Sequence, residues 1–332
     1  MKKLLCIVIM VFIFEVEGFS LNTHRQQDRA HFTAGTNLII EVNAGAGMMT
    51  GDTTYQIGGR ADYSDGTRDY LRFPISELKF PLDVFMASFD VTAEYKNKWI
   101  LGMGAKKNIT HDAGKLEDSD WGIYYLNGCW TCSAGSLDIY SESDASLDAL
   151  IIEINMRYRF YTGSKWSFFT GLGNRYEKYT FDVGNLEQWY PSGDTYMGYD
   201  TSPVTVDGQV LKYAISYNIP YIEVGTSIRS GSRFILESRW GFSLYVRVED
   251  KDNHILRDKV SEGDLLGFAG LLSLEGRYHY TKHLFSTLSI SYRHVYAEGT
   301  QEQYFGGKSY AEIDQEIESH QGLLFLRAGY VF

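Results

Sequence analysis

The sequence predicts an all-β fold, a ten-stranded antiparallel transmembrane β-barrel of the bacterial outer-membrane type, on three observations. Hydrophobicity alternates with a period of two from Asn37 onwards. Short and long connections alternate without exception along the chain. The composition, with 25 Tyr, 33 Gly and only 5 Pro, favours strands over helices and disorder.

The N-terminus comes first. Lys2 and Lys3 precede an apolar run from Leu4 to Phe14, and Gly18 and Ser20 supply small residues near its end. That is the layout of a secretory signal cleaved after Ser20, with a buried N-terminal core helix as the alternative. The run is too short to span a bilayer as a helix, and no later segment approaches the roughly twenty apolar residues needed. The expected division is therefore a signal peptide over 1–20 and the barrel with its loops over 21–332.

Strands are expected at 37–49, 76–95, 98–109, 148–161, 165–181, 209–228, 233–249, 264–281, 283–297 and 321–332. Tight turns fall near Lys96, Gly163, Gly231 and Lys282, and long polar connections cover 50–75, 110–147, 182–208, 250–263 and 298–321. Such a chain has an even strand number, short periplasmic turns and five long extracellular loops, with both ends on the short-turn side. A soluble sandwich shows the same alternation but has no reason to sort its loops by length. In the fourth strand Ile152, Ile154, Met156, Tyr158 and Phe160 alternate with Ile151, Glu153, Asn155, Arg157 and Arg159, an apolar face against a charged one. The last strand places Leu324, Leu326, Ala328, Tyr330 and Phe332 opposite Arg327 and Gly329, closing on an aromatic as outer-membrane barrels do. Ten strands make a narrow bore, so Glu153, Arg157, Arg239, Glu275 and Arg277 are expected to fill it and pair with one another; a wide diffusion pore is excluded.

The formal charge of −11 leaves no basic surplus to neutralise phosphates, which excludes a nucleic-acid partner. Cys129 and Cys132 lie in a loop expected to be exported, where a local disulfide is the plain reading and a redox site or metal clasp the alternative. A closed barrel leaves no strand edge that must pair, so a monomer is expected.

Two acidic stretches fall on the long-loop side. Asp118 and Asp120 follow the third strand, and Asp250, Asp252 and His254 leave the end of the seventh. Within each set the spacing is i, i+2, which in extended backbone puts the side chains on one face. The residues by themselves leave three readings open: solvated loop residues, a metal site, or a carboxylate–histidine set that activates water without a Ser or Cys nucleophile.

Here the sequence resembles the omptins, outer-membrane endopeptidases. "DSDW" at Asp118 to Trp121 and "DKDNH" at Asp250 to His254 carry the resemblance, with Trp130-Thr131, "NIPYIEVG" around Pro220-Tyr221 and the closing "AGYVF" in support. The resemblance implies catalysis by Asp118, Asp120, Asp252 and His254, with His254 as base and no metal or other cofactor. It implies peptide or protein substrates and an acid at Asp250 that favours basic residues. Tyr55 stands where the family's first-loop Glu would be, with Asp52 three residues earlier. Lipopolysaccharide is the lipid partner implied, on a fifth-strand site where Lys178 is a conservative match and Asn174 and Tyr176 are not. An adhesin or structural barrel on the same scaffold, using tyrosine-rich loops, is the competing expectation. A small channel is the third.

Overall fold

The computed structural model describes residues 38–121, 125–126, 129–130, 137–191 and 203–332. The signal expected at 1–20 and the bond expected between Cys129 and Cys132 lie outside the described residues and side chains. The ten barrel strands are β1 (Leu38–Tyr63), β2 (Ser76–Pro81, resuming as Val84–Tyr95), β3 (Trp99–Asn108, resuming as Asp112–Trp121), β4 (Leu137–Thr162) and β5 (Trp166–Trp189). They continue as β6 (Val204–Ser230), β7 (Phe234–His254), β8 (Lys259–His279), β9 (Leu284–Phe305) and β10 (Lys308–Val331). Each is antiparallel to its sequence neighbours, and β1 pairs with β2 on one side and β10 on the other, so the sheet closes on itself. The ten-stranded antiparallel ring is the fold the alternation predicts.

Local chemistry sets the hairpins. At the short end Lys96 and Asn97 both take positive φ (51° and 56°), the mirror-image turn whose twist matches that of two antiparallel strands. Where β3 is interrupted, the Asn108 side chain replaces missing ladder bonds: its amide donates to Thr110 O (2.7 Å) and Leu147 O (2.8 Å), and its carbonyl accepts from Ala149 N (2.8 Å). The break therefore leaves few backbone groups unpaired.

One expectation needs correction. The long connections are largely strand: β4 begins at Leu137, β6 at Val204 and β10 at Lys308, well before the residues where the sequence reading began them. The last connection is a hairpin turning at Gly306-Gly307, both with positive φ. The cause is visible in β10, where Ala311, Ile313, Gln315, Ile317 and Ser319 are buried while Glu312, Asp314, Glu316 and Glu318 face outward. A strand with a charged rather than apolar outer face resembles a polar loop in sequence.

Where outer faces are apolar they form a belt. It includes Phe85, Met103, Ile154, Leu172, Ile222, Trp240, Leu266, Leu274 and Leu326, all exposed. Towards the short-turn end the belt meets Tyr95, Trp99, Tyr161, Trp166, Tyr278, Tyr280, Tyr330 and Phe332, a girdle of aromatics suited to a bilayer interface. Beyond the belt, on the long-loop side, the wall carries ion pairs such as Lys115–Asp144 (2.7 Å), Arg247–Asp264 (2.9 Å) and Lys251–Glu262 (2.6 Å).

Within the belt the interior is ionic, as expected from composition and strand number. Glu177 contacts Arg175 (2.5 Å) and Arg293 (3.2 Å), Arg157 contacts Glu237 (2.8 Å), and Arg277 contacts Glu41 (2.6 Å). A cavity of about 140 Å³ lies among Lys106, Glu153, Arg239 and Glu275. Towards the long-loop end an apolar layer takes over, with Phe80 against Tyr213 (ring centroids 4.3 Å apart) and Phe181 (4.9 Å). This packing across the bore gives the site above it an apolar floor.

Candidate active site

The seventh strand brings three candidate residues to one face. Its pairing with β8 shifts register between Ser243 and Val246, near the exposed Leu244 and Tyr245. Such an irregularity re-aims the strand beyond it. From Val246 onward Val246, Val248, Asp250 and Asp252 are buried, whereas Arg247, Glu249 and Lys251 point out. His254 follows on the inward face and is half-buried. A 3-10 turn over Ile255–Arg257 and a left-handed Asp258 (φ 48°) reverse the chain, which sets Lys259 opposite His254.

Asp118 and Asp120 come from the resumed part of β3, opposite Leu78 and Ser76 of β2 and opposite Ser141 and Ile139 of β4. The sequence reading put them in a connection; they stand on a strand, as do Asp250, Asp252 and His254. Rigid strand ends hold such groups more closely than loops can.

Asp252 Oδ2 lies 2.8 Å from His254 Nε2. Asp120 is buried; Asp118 is half-buried, with its Oδ1 enclosed and without a hydrogen-bond partner. Crowding by protein pushes both carboxyl groups above the usual range, Asp118 strongly, because burial disfavours the anion. The charge of Asp120 raises Asp118 further, and so does Asp252, while Arg257 and Lys259 oppose the rise. The field of His254 also reaches Asp120. The structure thus brings Asp118, Asp120, Asp252 and His254 within electrostatic reach of one another at the long-loop end of the barrel.

Asp250 sits one step deeper. Its Oδ2 accepts from Tyr213 OH (3.0 Å) and Gln315 Nε2 (2.9 Å). Burial pushes its pKa up to about 7, against the lowering effect of those two hydrogen bonds. Tyr55, from β1, is 2% exposed and accepts from Gln301 Nε2 (2.5 Å). Burial raises its phenol well above its ordinary value, and Asp252, Asp250 and Asp118 add to the rise, so it lies amid the same acids. Asp52 belongs to the other face of β1, between the buried Met49 and Thr53 side chains that point inward, and pairs with outward His320. It cannot replace a carboxylate at Tyr55.

Lys259 is the residue that sequence reasoning passed over. Burial lowers its amine below the usual lysine range, while Asp252, Asp120 and Asp118 act to hold its proton. Its position was available from the hairpin alone: once the turn is placed at Ile255 to Asp258, pairing puts Lys259 beside His254. Asn174, Tyr176 and Lys178 face outward on β5.

Comparison with known proteins bears on the fold. No family profile and no curated relative matches the chain by sequence. Among solved structures, the outer membrane protease OmpT from Escherichia coli aligns with a TM-score of 0.74 at 15% identity, covering 89% of this chain and 97% of that one. OprG from Pseudomonas aeruginosa aligns with a TM-score of 0.31 at 11% identity, covering 87% of this chain and 97% of its own. The translocator domain of the autotransporter NalP from Neisseria meningitidis gives 0.35 at 8% identity, covering 92% and 93%. The chain therefore has the omptin fold, a ten-stranded antiparallel barrel of the outer-membrane type whose strands rise well beyond the apolar belt.

Proposed function

We propose that the chain is an outer-membrane endopeptidase that hydrolyses peptide bonds at the cell surface with an activated water. The observation that carries the reading is the Asp252–His254 contact of 2.8 Å at the mouth of the barrel, in a cleft shared with Asp118 and Asp120. Nε2 of His254 faces Asp252, so Nδ1 is the nitrogen turned to take a proton from water. The water oxygen then bonds to the peptide carbonyl carbon, and the tetrahedral adduct expels the amine, which receives the proton from His254. Asp252 orients the imidazole and stands beside the imidazolium that forms. Burial raises both paired acids, Asp118 and Asp120, which favours the pair keeping a proton that it can share with the developing oxyanion.

Asp250 is assigned to substrate recognition. A buried carboxyl poised near neutral pH gains a full charge when a cationic side chain approaches, so it favours Arg or Lys at the bond being cut. Lipopolysaccharide is assigned as the lipid partner of the outer wall, residues 1–20 as the secretory signal, and Cys129–Cys132 as a local disulfide.

The test is cleavage of a mixed peptide library by the chain refolded with lipopolysaccharide, beside His254→Ala. Loss of the general base is expected to lower the rate by about two to four orders of magnitude. Equal cleavage by both proteins would remove His254 from the mechanism. No cleavage by either would transfer the scaffold to the adhesin reading.

A further inference from the structure

The last hairpin carries a second histidine cluster on the opposite surface of the wall. His294 of β9 and His320 of β10 are direct cross-strand partners, and both lie on the outward face. Their rings stack at 4.6 Å between centroids and 7° between planes. Both Nε2 atoms converge on one oxygen of Glu318, at 3.0 Å for His294 and 3.1 Å for His320. On the far side of His320, Nδ1 lies 2.8 Å from Tyr292 OH.

We propose that His294, Glu318 and His320 bind a divalent transition-metal ion of the zinc class. Three features support it. The ligand atoms all lie within 4.8 Å of one another. Donors bonded at about 2.0–2.1 Å to a tetrahedral ion stand roughly 3.3 Å apart, so only small side-chain rotations are needed to admit one. Two imidazoles and one carboxylate with an open fourth position is also a donor set that zinc accepts, and nitrogen donors disfavour calcium and magnesium.

The second feature is the role of Tyr292. A histidine that ligates through Nε2 must carry its proton on Nδ1, and a partner there fixes that tautomer and the ring plane. Tyr292 OH stands at that atom.

The third is the charge pattern of the surrounding wall. Glu298 faces Glu316 across the strands, and Glu302 faces Glu312, two like-charge pairs on the same outward face as the histidines. Directly opposed like charges destabilise a sheet. Glu318's own ion-pair partners are the two histidines. Asp52 of β1 pairs with His320 from the other side. A divalent cation at Glu318 would relieve the nearer of these repulsions, that of Glu298 with Glu316 two residues along the strand, and tie β9 to β10. The cluster is separate from the cleft, since its side chains point away from the bore that holds Asp252 and His254.

The experiment is titration of Zn²⁺ into the untagged full chain, refolded in detergent, in competition with a chromophoric chelator, with Co²⁺ absorption as a second readout. One equivalent is expected to bind in the micromolar range or tighter. His294→Ala and His320→Ala should each weaken binding by about tenfold or more, and Tyr292→Phe should weaken it less. His111→Ala, in the interruption of β3, should leave it unchanged. Heat-shifted gel mobility shows that each variant retains the barrel. Absence of stoichiometric Zn²⁺ binding by the folded wild type would overturn the proposal. So would an unchanged affinity in the His294→Ala, His320→Ala double variant, which would locate the ion elsewhere.

Discussion

Asp252 Oδ2 stands 2.8 Å from His254 Nε2, with the aspartate side chain 1% exposed and the imidazole 18% exposed. The acid is thus the enclosed partner and the histidine the one presented to the cleft. Asp252→Asn keeps the shape but removes the charge that would steady an imidazolium. Its turnover is expected to fall by about two to four orders of magnitude, with a much smaller change in KM. Steady-state kinetics on a cleaved peptide checks this; a wild-type rate would make the contact structural only.

Asp250 predicts a pH dependence of stability. Its pKa is pushed up to about 7 in the folded chain, against about 4 for an unperturbed aspartate. Between those values the folded chain holds a proton that the unfolded chain has released, so stability falls as pH rises from about 4 to about 7. Each unit corresponds to about 1.4 kcal/mol. Asp250→Asn removes this contribution, so the variant should gain on wild type across that interval. Urea unfolding in detergent at several pH values measures the difference, and parallel curves would show that Asp250 titrates normally.

The interior ion network should be intolerant of losing one member. Glu177 is fully buried and contacts Arg175, Arg293 and Tyr179 OH (2.5 Å). Glu177→Gln leaves two buried guanidinium groups without their shared counter-charge. A loss of about 3–5 kcal/mol is expected, read from the urea midpoint of the refolded protein.

The boundary of the belt can be tested on a single strand. Leu326 is 64% exposed and lies within the apolar band, whereas Glu316 faces outward from the charged wall above it. Leu326→Arg should destabilise the barrel in lipid bilayers by up to about 2–4 kcal/mol, while Glu316→Arg should change it by no more than about 1. Equal effects would mean that the bilayer does not end between these residues.

The ring of ten strands was legible because a period-two pattern with one apolar face survives in the sequence wherever lipid covers the wall. Leu324, Leu326 and Tyr330 against Arg327 are enough to read β10 near its end. The same strand from Lys308 to Gln321 was not legible, because water covers its outer face and Glu312 to Glu318 resemble loop residues. The sites followed the same division. Spacing within one strand put Asp250, Asp252 and His254 on one side, since alternation is a local property of extended backbone. That Tyr55, Asp118 and Lys259 share the cleft with them depends on which strands become neighbours around the ring and at what register. Burial then decides which acids keep protons, and burial is a property of packing between segments distant in sequence. The sequence by itself determined the strand count, the side on which the acids lie and the identity of the water-activating candidates. Only the tertiary structure decided the height of the wall, the aromatic floor beneath the cleft and the outward meeting of His294 with His320, because each depends on contacts made across strands.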